Sequence, residues 1–127
     1  MVRLMLDSAF VIDHLHGQPD AVRRYERIFE DGDEPLVNEV VVCEVRAGLR
    51  DDDLPVLRAF LEPVEFVQPP PESAMLAGEW RAASRRGGHT LSLADALIAA
   101  AAVFDGATVL TRNVRDFALM PVRVEGY

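Results

Sequence analysis

The sequence predicts an α/β fold, a three-layer α/β/α sandwich with a central parallel sheet. Three observations predict it. Short, largely apolar runs at Val2–Leu6, Pro35–Val37, Val64–Val67 and Ala107–Leu110 read as strands, the first of them buried. Helical patterns alternate with those runs, which is the signature of parallel crossovers. One helix, spanning Ala96–Phe104, carries no polar residue and is expected to be buried nearly all round.

The elements follow in order. Val2–Leu6 is the first strand, closed by Asp7-Ser8, and Phe10–Leu15 is a short helix stopped by His16-Gly17. Pro19 opens a second helix over Ala21–Phe29, with Val22, Tyr25, Ile28 and Phe29 on one face and Asp31-Gly32-Asp33 at its end. After the strand Pro35–Val37, Asn38 is placed to cap a helix Glu39–Leu49 whose apolar face holds Val41, Val42, Val45 and Leu49. Gly48 reads there as a site of close packing. Asp51–Asp53 interrupts, and Leu54–Leu61 is helical again. Pro69-Pro70-Pro71 is a stiff joint after the third strand. Glu72–Arg86 is a long helix with Met75, Leu76, Trp80 and Ala83 near one face, ended by Gly87-Gly88. The core helix Leu93–Asp105 leads into the strand Ala107–Leu110. A turn or short helix at Asn113–Ala118 and a weaker strand at Val122–Val124 complete the chain.

The 127 residues fit one domain, 1–127. The formal net charge is −8, and every one of the 13 Lys-plus-Arg positions is arginine. Without lysine there is no P-loop and no Schiff base. The site of a haloacid-dehalogenase-type phosphatase is excluded too, since Asp7-Ser8-Ala9 also lacks a second acid. An acidic chain lacks the basic surface that grips nucleic acid broadly by counterion release, so no direct DNA binding is expected. A local site where cations supply the positive charge stays open. Cys43 is the only cysteine, which fits a reducing cytoplasm. No apolar run approaches the ~20 residues of a membrane span.

Four acids fall at one edge of the expected sheet. Asp7 ends the first strand, Glu44 lies early in the helix after the second, Asp95 opens the helix that returns to the Ala107 strand, and Asp116 lies just past that strand. The carboxyl edge is where open α/β sheets place ligands. Carboxylates so gathered repel one another unless protonated or bridged by cations. An all-oxygen set suits Mg²⁺ or Mn²⁺, and such ions on phosphate oxygens point to phosphodiester hydrolysis. Each acid also has a structural reading: Ser92-Leu93-Ala94-Asp95 and Asn113-Val114-Arg115-Asp116 resemble capping boxes, Asp7 is placed to cap a helix, and Glu44 to pair with an arginine.

Four segments, MLDSAFVIDHL, VNEVVVCEVRAGL, LSLADALIAAAA and VLTRNVRDF, appear in this order along nearly the whole chain. Together they resemble the PIN-domain nucleases, and most closely the VapC toxins of bacterial toxin–antitoxin pairs. The resemblance implies a PIN-like sheet and metal-dependent RNA cleavage. It implies that Asp7, Glu44, Asp95 and Asp116 are the catalytic and metal-binding acids, with Ser8, Thr111 and Asn113 as supporting polar residues. Some relatives carry Asp where Asn113 stands, which implies weaker hold on a second metal here. It further implies a homodimer and a VapB-like antitoxin that covers the site and itself contacts operator DNA.

Arg46, Arg50, Arg112 and Arg115 are candidate contacts to RNA phosphates, with Arg85 and Arg86 farther off. His14 and His16, two apart, lack the spacing of a helical metal pair and read as surface residues. His89 reads as an exposed loop residue, Cys43 as a small core residue, Asp13 and Asp51–Asp53 as helix-terminal charges, and Trp80 as core or dimer contact. Two other functions compete with an endoribonuclease toxin: a housekeeping PIN nuclease in RNA processing, and a PIN-fold binding module with little catalysis.

Overall fold

The computed structural model describes residues 1–127. Five strands, β1 (Arg3–Leu6), β2 (Glu34–Asn38), β3 (Glu65–Val67), β4 (Thr108–Leu110) and β5 (Val124–Glu125), form one sheet in the order β3-β2-β1-β4-β5. Every pairing is parallel. Seven helices connect them: α1 (Ser8–Leu15), α2 (Pro19–Glu30), α3 (Glu39–Ala47), α4 (Leu54–Leu61), α5 (Pro71–Arg86), α6 (Leu93–Phe104) and α7 (Val114–Phe117). The α/β/α sandwich with a parallel sheet is therefore the observed architecture. Asp51–Asp53 forms a single 3-10 turn ahead of α4.

β1 lies at the centre because Leu4, Met5 and Leu6 can be covered from both faces, and all three are buried. The chain winds from β1 to β2 to β3 in one direction. It then crosses through α5 and α6 to lay β4 on the other side of β1. The winding thus reverses between β1 and β4. The register pairs Leu6 with Leu110, which sets Asp7 beside Thr111 at the carboxyl edge. At the opposite edge, Arg3 reaches Glu34 at 2.5 Å and Glu65 at 3.1 Å, tying three strand starts together.

Helix α6 buries Ala96 and the whole run Ile98–Ala102. Its ends differ from the expectation of burial all round: Leu93, Val103 and Phe104 are exposed, because only the middle of the helix lies under the sheet. It stops in a Schellman-type turn, with Ala107 N–H donating to Ala102 O at 2.8 Å and Gly106 at φ +61°.

Helix α5 departs from the expected face. Ser73 and Ala77 are buried, while Met75 is exposed and Ala83 faces solvent. Helix α2 likewise leaves Phe29 exposed and buries Ala21 and Ile28. Gly48 follows α3 as its cap residue, and a Cβ there would meet nothing closer than 3.9 Å, so close packing is not its role.

Asn38 caps α3 as expected and does more. Its Oδ1 accepts from Val41 N–H at 3.1 Å, and its Nδ2 donates to Leu97 O of α6 at 3.4 Å. Both groups are buried, so Asn38→Ala is expected to cost about 1–2 kcal/mol, read as a lower urea midpoint at unchanged m-value.

Candidate active site

Asp7 is the most deeply placed of the four acids, at 3% exposure. Its two oxygens have separate duties. Oδ1 accepts from Phe10 N–H at 2.8 Å, capping α1, and Oδ2 accepts from the buried Thr111 hydroxyl at 2.5 Å. The Thr111 oxygen also accepts from Asn113 N–H at 2.8 Å, so one hydroxyl ties β1, β4 and the turn before α7. Burial pushes the Asp7 carboxyl up from 3.8 to about 6, against the pull of those hydrogen bonds, and the nearby charge of Asp95 raises it further.

Asp95 lies in the first turn of α6, where the Ser92 hydroxyl accepts its backbone N–H at 3.0 Å. The capping arrangement read from the sequence is therefore real for the backbone. The half-buried carboxylate has a raised pKa, caused first by burial and then by the charges of Glu44 and Asp116, while Ser92 works against the shift. Asp95 is thus the member coupled to all the others, raised by the charges of Glu44 and Asp116 and raising Asp7 in turn.

Glu44 and Asp116 are exposed. Glu44 Oε1 accepts a short hydrogen bond from the Ser8 hydroxyl, which joins α3 to the start of α1. Asp116 stands on α7, a single turn whose N-cap, Asn113, makes no side-chain cap bond. None of the four acids is salt-bridged: the ion pairs of the chain all use other carboxylates. No three His, Cys, Asp or Glu side chains stand close enough to form a ready-made cage for a cation. The four acids are linked instead through Asp95, whose carboxyl is raised by the charges of Glu44 and Asp116 and whose own charge raises Asp7. An all-oxygen set of this kind is compatible with a hard divalent cation that keeps several waters and takes only one or two carboxylates.

The candidate arginines separate. Arg46 is drawn to Asp51 at 2.8 Å, and Arg50 and Arg115 are exposed without an ion pair. Arg112 pairs with Asp13 at 2.5 Å, and its charge reaches Asp7, where it lowers the carboxyl. Asp13 therefore corrects a reading made from the sequence: it is buried inside the fold, not a helix-terminal charge at the surface. No local signal could have shown this, because its partners lie 99 and 114 residues away.

Two further readings change. His14 packs its ring against Tyr25 and Phe60, with centroids at 4.5 and 4.9 Å, and is not a free surface residue, whereas His16 is exposed. Cys43 is exposed and not in the core, since it lies on the face of α3 that carries Glu44. It borders an open, mostly apolar depression with Val40, Leu93, Ala94 and Leu97, which Glu44 also lines.

Comparison with known proteins gives a consistent result. The family model described as PIN domain matches residues 4–121. "Ribonuclease VapC19" of Mycobacterium tuberculosis is 32% identical over 117 residues, covering 92% of this chain and 94% of that one. The "tRNA(fMet)-specific endonuclease VapC" of Salmonella typhimurium is 26% identical, covering 100% and 99%. Among solved structures, VapBC2 from Rickettsia felis bound to a DNA fragment from its promoter aligns with a TM-score of 0.87 at 20% identity over 99% of both chains. DNA-bound VapBC from Salmonella typhimurium aligns with a TM-score of 0.85 at 26% identity, covering 99% and 98%.

Proposed function

The chain belongs to the PIN-domain family, and from that premise we propose that it is the endoribonuclease toxin of a type II toxin–antitoxin pair. The observation that carries the reading is the set Asp7, Glu44, Asp95 and Asp116, coupled through Asp95 and with none of the four paired with an arginine. Four such carboxylates are costly unless cations share the cleft, and the substrate of a ribonuclease is itself a polyanion.

In this reading Asp7, Asp95, Glu44 and Asp116 hold Mg²⁺ or Mn²⁺. When bound, the cation supplies positive charge at the phosphate and lowers the pKa of water, the chemistry of phosphodiester hydrolysis. The chain's own part is positioning. Thr111 and the start of α1 fix both oxygens of Asp7, Ser8 fixes Glu44, and Ser92 sets the first turn of α6 that carries Asp95. Asn113, exposed and tied to Thr111 through its backbone N–H, offers a further polar side chain beside Asp7. The water oxygen attacks phosphorus as the bond to the 3′ oxygen breaks, leaving 5′-phosphate and 3′-hydroxyl ends.

The partner reading follows from the relatives, whose solved structures are VapBC complexes. The expected partner here is a VapB-like antitoxin, with a basic segment entering the acidic cleft, and a homodimer of this chain is the expected assembly. No helix is long and apolar enough to cross a membrane, and a cytoplasmic RNA is the proposed target.

The test pairs binding with cleavage. Millimolar Mg²⁺ or Mn²⁺ is expected to raise the Tm of the wild-type chain by mass action and to support cleavage of total cellular RNA, both reversed by EDTA. Asp95→Asn is expected to lose most of the shift and the cleavage. Cleavage of equal rate in EDTA, or by Asp95→Asn, would refute the assignment.

A further inference from the structure

Arg112, the residue after Thr111, is held from behind by the buried Asp13 and the half-buried Tyr127, a pair separate from the four acids. Its Nη1 donates to Asp13 Oδ1 at 2.5 Å, and the Tyr127 hydroxyl donates to Asp13 Oδ2 at 2.5 Å. Both oxygens of Asp13 are thereby engaged, one by a cation and one by a phenol. The support is anchored in the core. Asp13 is 9% exposed on α1, and the Tyr127 ring stands edge-on to the fully buried Phe10 with centroids 4.9 Å apart.

The arginine itself is different. Its side chain is 54% exposed, and Nε and Nη2 donate to no group of the protein. A flexible surface arginine gains little from one ion pair. Here a buried carboxylate and a tyrosine restrict its rotamer instead, leaving one edge of a planar fork facing out. The position is also singular. Arg3, Arg24 and Arg46 are committed to Glu34 and Glu65, to Glu125 and to Asp51. Arg112 directly follows Thr111, whose hydroxyl bonds Asp7 Oδ2 at 2.5 Å, so its backbone is fixed next to the deepest of the acids.

Resting on the ribonuclease reading above, we propose that Asp13 and Tyr127 are positioning residues that hold the Arg112 guanidinium at the rim of the acid cleft, where its open edge takes a phosphate of the RNA next to the one being cut. The logic is electrostatic. A chain of net charge −8 must bring a polyanion to a cluster of carboxylates. A guanidinium already fixed in direction grips phosphate with two donors and loses less freedom on binding than a mobile one. Such a contact is made equally in the ground state and the transition state, so it belongs in KM and not in kcat.

The experiment measures initial rates against the concentration of total cellular RNA, with Tm for each variant. Arg112→Ala is expected to raise KM about tenfold, and Asp13→Asn and Tyr127→Phe about three- to tenfold, with kcat within about twofold. In the Arg112→Ala background, Asp13→Asn is expected to leave KM unchanged while still lowering Tm. A merely structural pair would instead lower Tm and leave KM at the wild-type value, which overturns the proposal. So would a fall in kcat at constant KM, or effects that multiply in the double variant. Tyr127→Phe removes a single oxygen and decides the matter alone if Asp13→Asn does not fold. Absence of RNA cleavage by the wild-type chain is a separate result: it refutes the ribonuclease reading, and this inference falls with it.

Discussion

Asp7→Asn is expected to abolish RNA cleavage, by at least about a hundredfold, while making the protein more stable at neutral pH. The two effects share one cause. Asp7 is kept charged inside the fold, where burial raises its carboxyl from 3.8 to about 6. A shift of that size means the charged form is disfavoured in the folded state by about 3 kcal/mol relative to the unfolded chain. Asparagine carries no charge and can still cap α1 through Oδ1. Its Nδ2 can donate to the Thr111 oxygen, which has a lone pair to spare beside the Asn113 contact. The bond given up, Thr111 hydroxyl to carboxylate, offsets about 1 kcal/mol. The net expectation is a gain of about 2 kcal/mol at pH 8 from urea unfolding, together with loss of cleavage and of growth arrest on expression.

The pH dependence distinguishes this from a generic stabilising change. The native state holds a proton on Asp7 between 3.8 and about 6 that the unfolded chain has already lost. Wild-type stability therefore falls as pH rises through that window and levels off above it. In Asp7→Asn that part of the slope is missing, so the two unfolding free energies should converge near pH 4 and separate by pH 7. Asp95 is shifted in the same direction and keeps a residual slope in the variant. A variant no more stable than wild type at pH 8 would show that the charge of Asp7 is not under strain. Retained cleavage would remove Asp7 from the chemistry.

Why the places of the four acids in the fold were legible and other features were not follows from distance along the chain. Asp7 follows a strand end and Asp95 and Asp116 stand in first helical turns, positions that hydrophobic patterning marks locally, while Glu44 lies past the middle of α3. A parallel sheet then carries all of them to one edge. The Asp7–Thr111 bond spans 104 residues and depends on β4 lying beside β1, a strand order that patterning does not give. The same applies to Asp13, whose burial depends on Arg112 and Tyr127. The α5 face was misread for another reason. Met75 carries a strong apolar signal and points to solvent, while Ser73 and Ala77 carry a weak one and are buried. Helix α5 packs against the alanine-rich α6, and small residues let two helices approach closely.

The same dependence on distant packing makes Phe117→Ala the most destabilising single change expected near the cleft. Helix α7 has four residues, too few to persist alone, and its N-cap makes no side-chain bond. What holds it is Phe117, fully buried in the core beneath it. Truncation to alanine is expected to cost about 3–5 kcal/mol. The loss should also release Asp116, the neighbouring residue, so that cleavage per folded molecule falls. Leu36→Ala supplies the control. Leu36 is as deeply buried, but on β2, and it carries no acid at its side. It should cost about 2–5 kcal/mol and leave the rate per folded molecule unchanged, measured at a temperature and cosolvent where both variants are folded. If both variants cleave at the wild-type rate once folded, Phe117 is not what positions Asp116, and the link from the ring to the chemistry is refuted. A rate lost only in Phe117→Ala ties the one-turn helix directly to the chemistry: the aromatic ring would then be what keeps the fourth carboxylate facing Asp95.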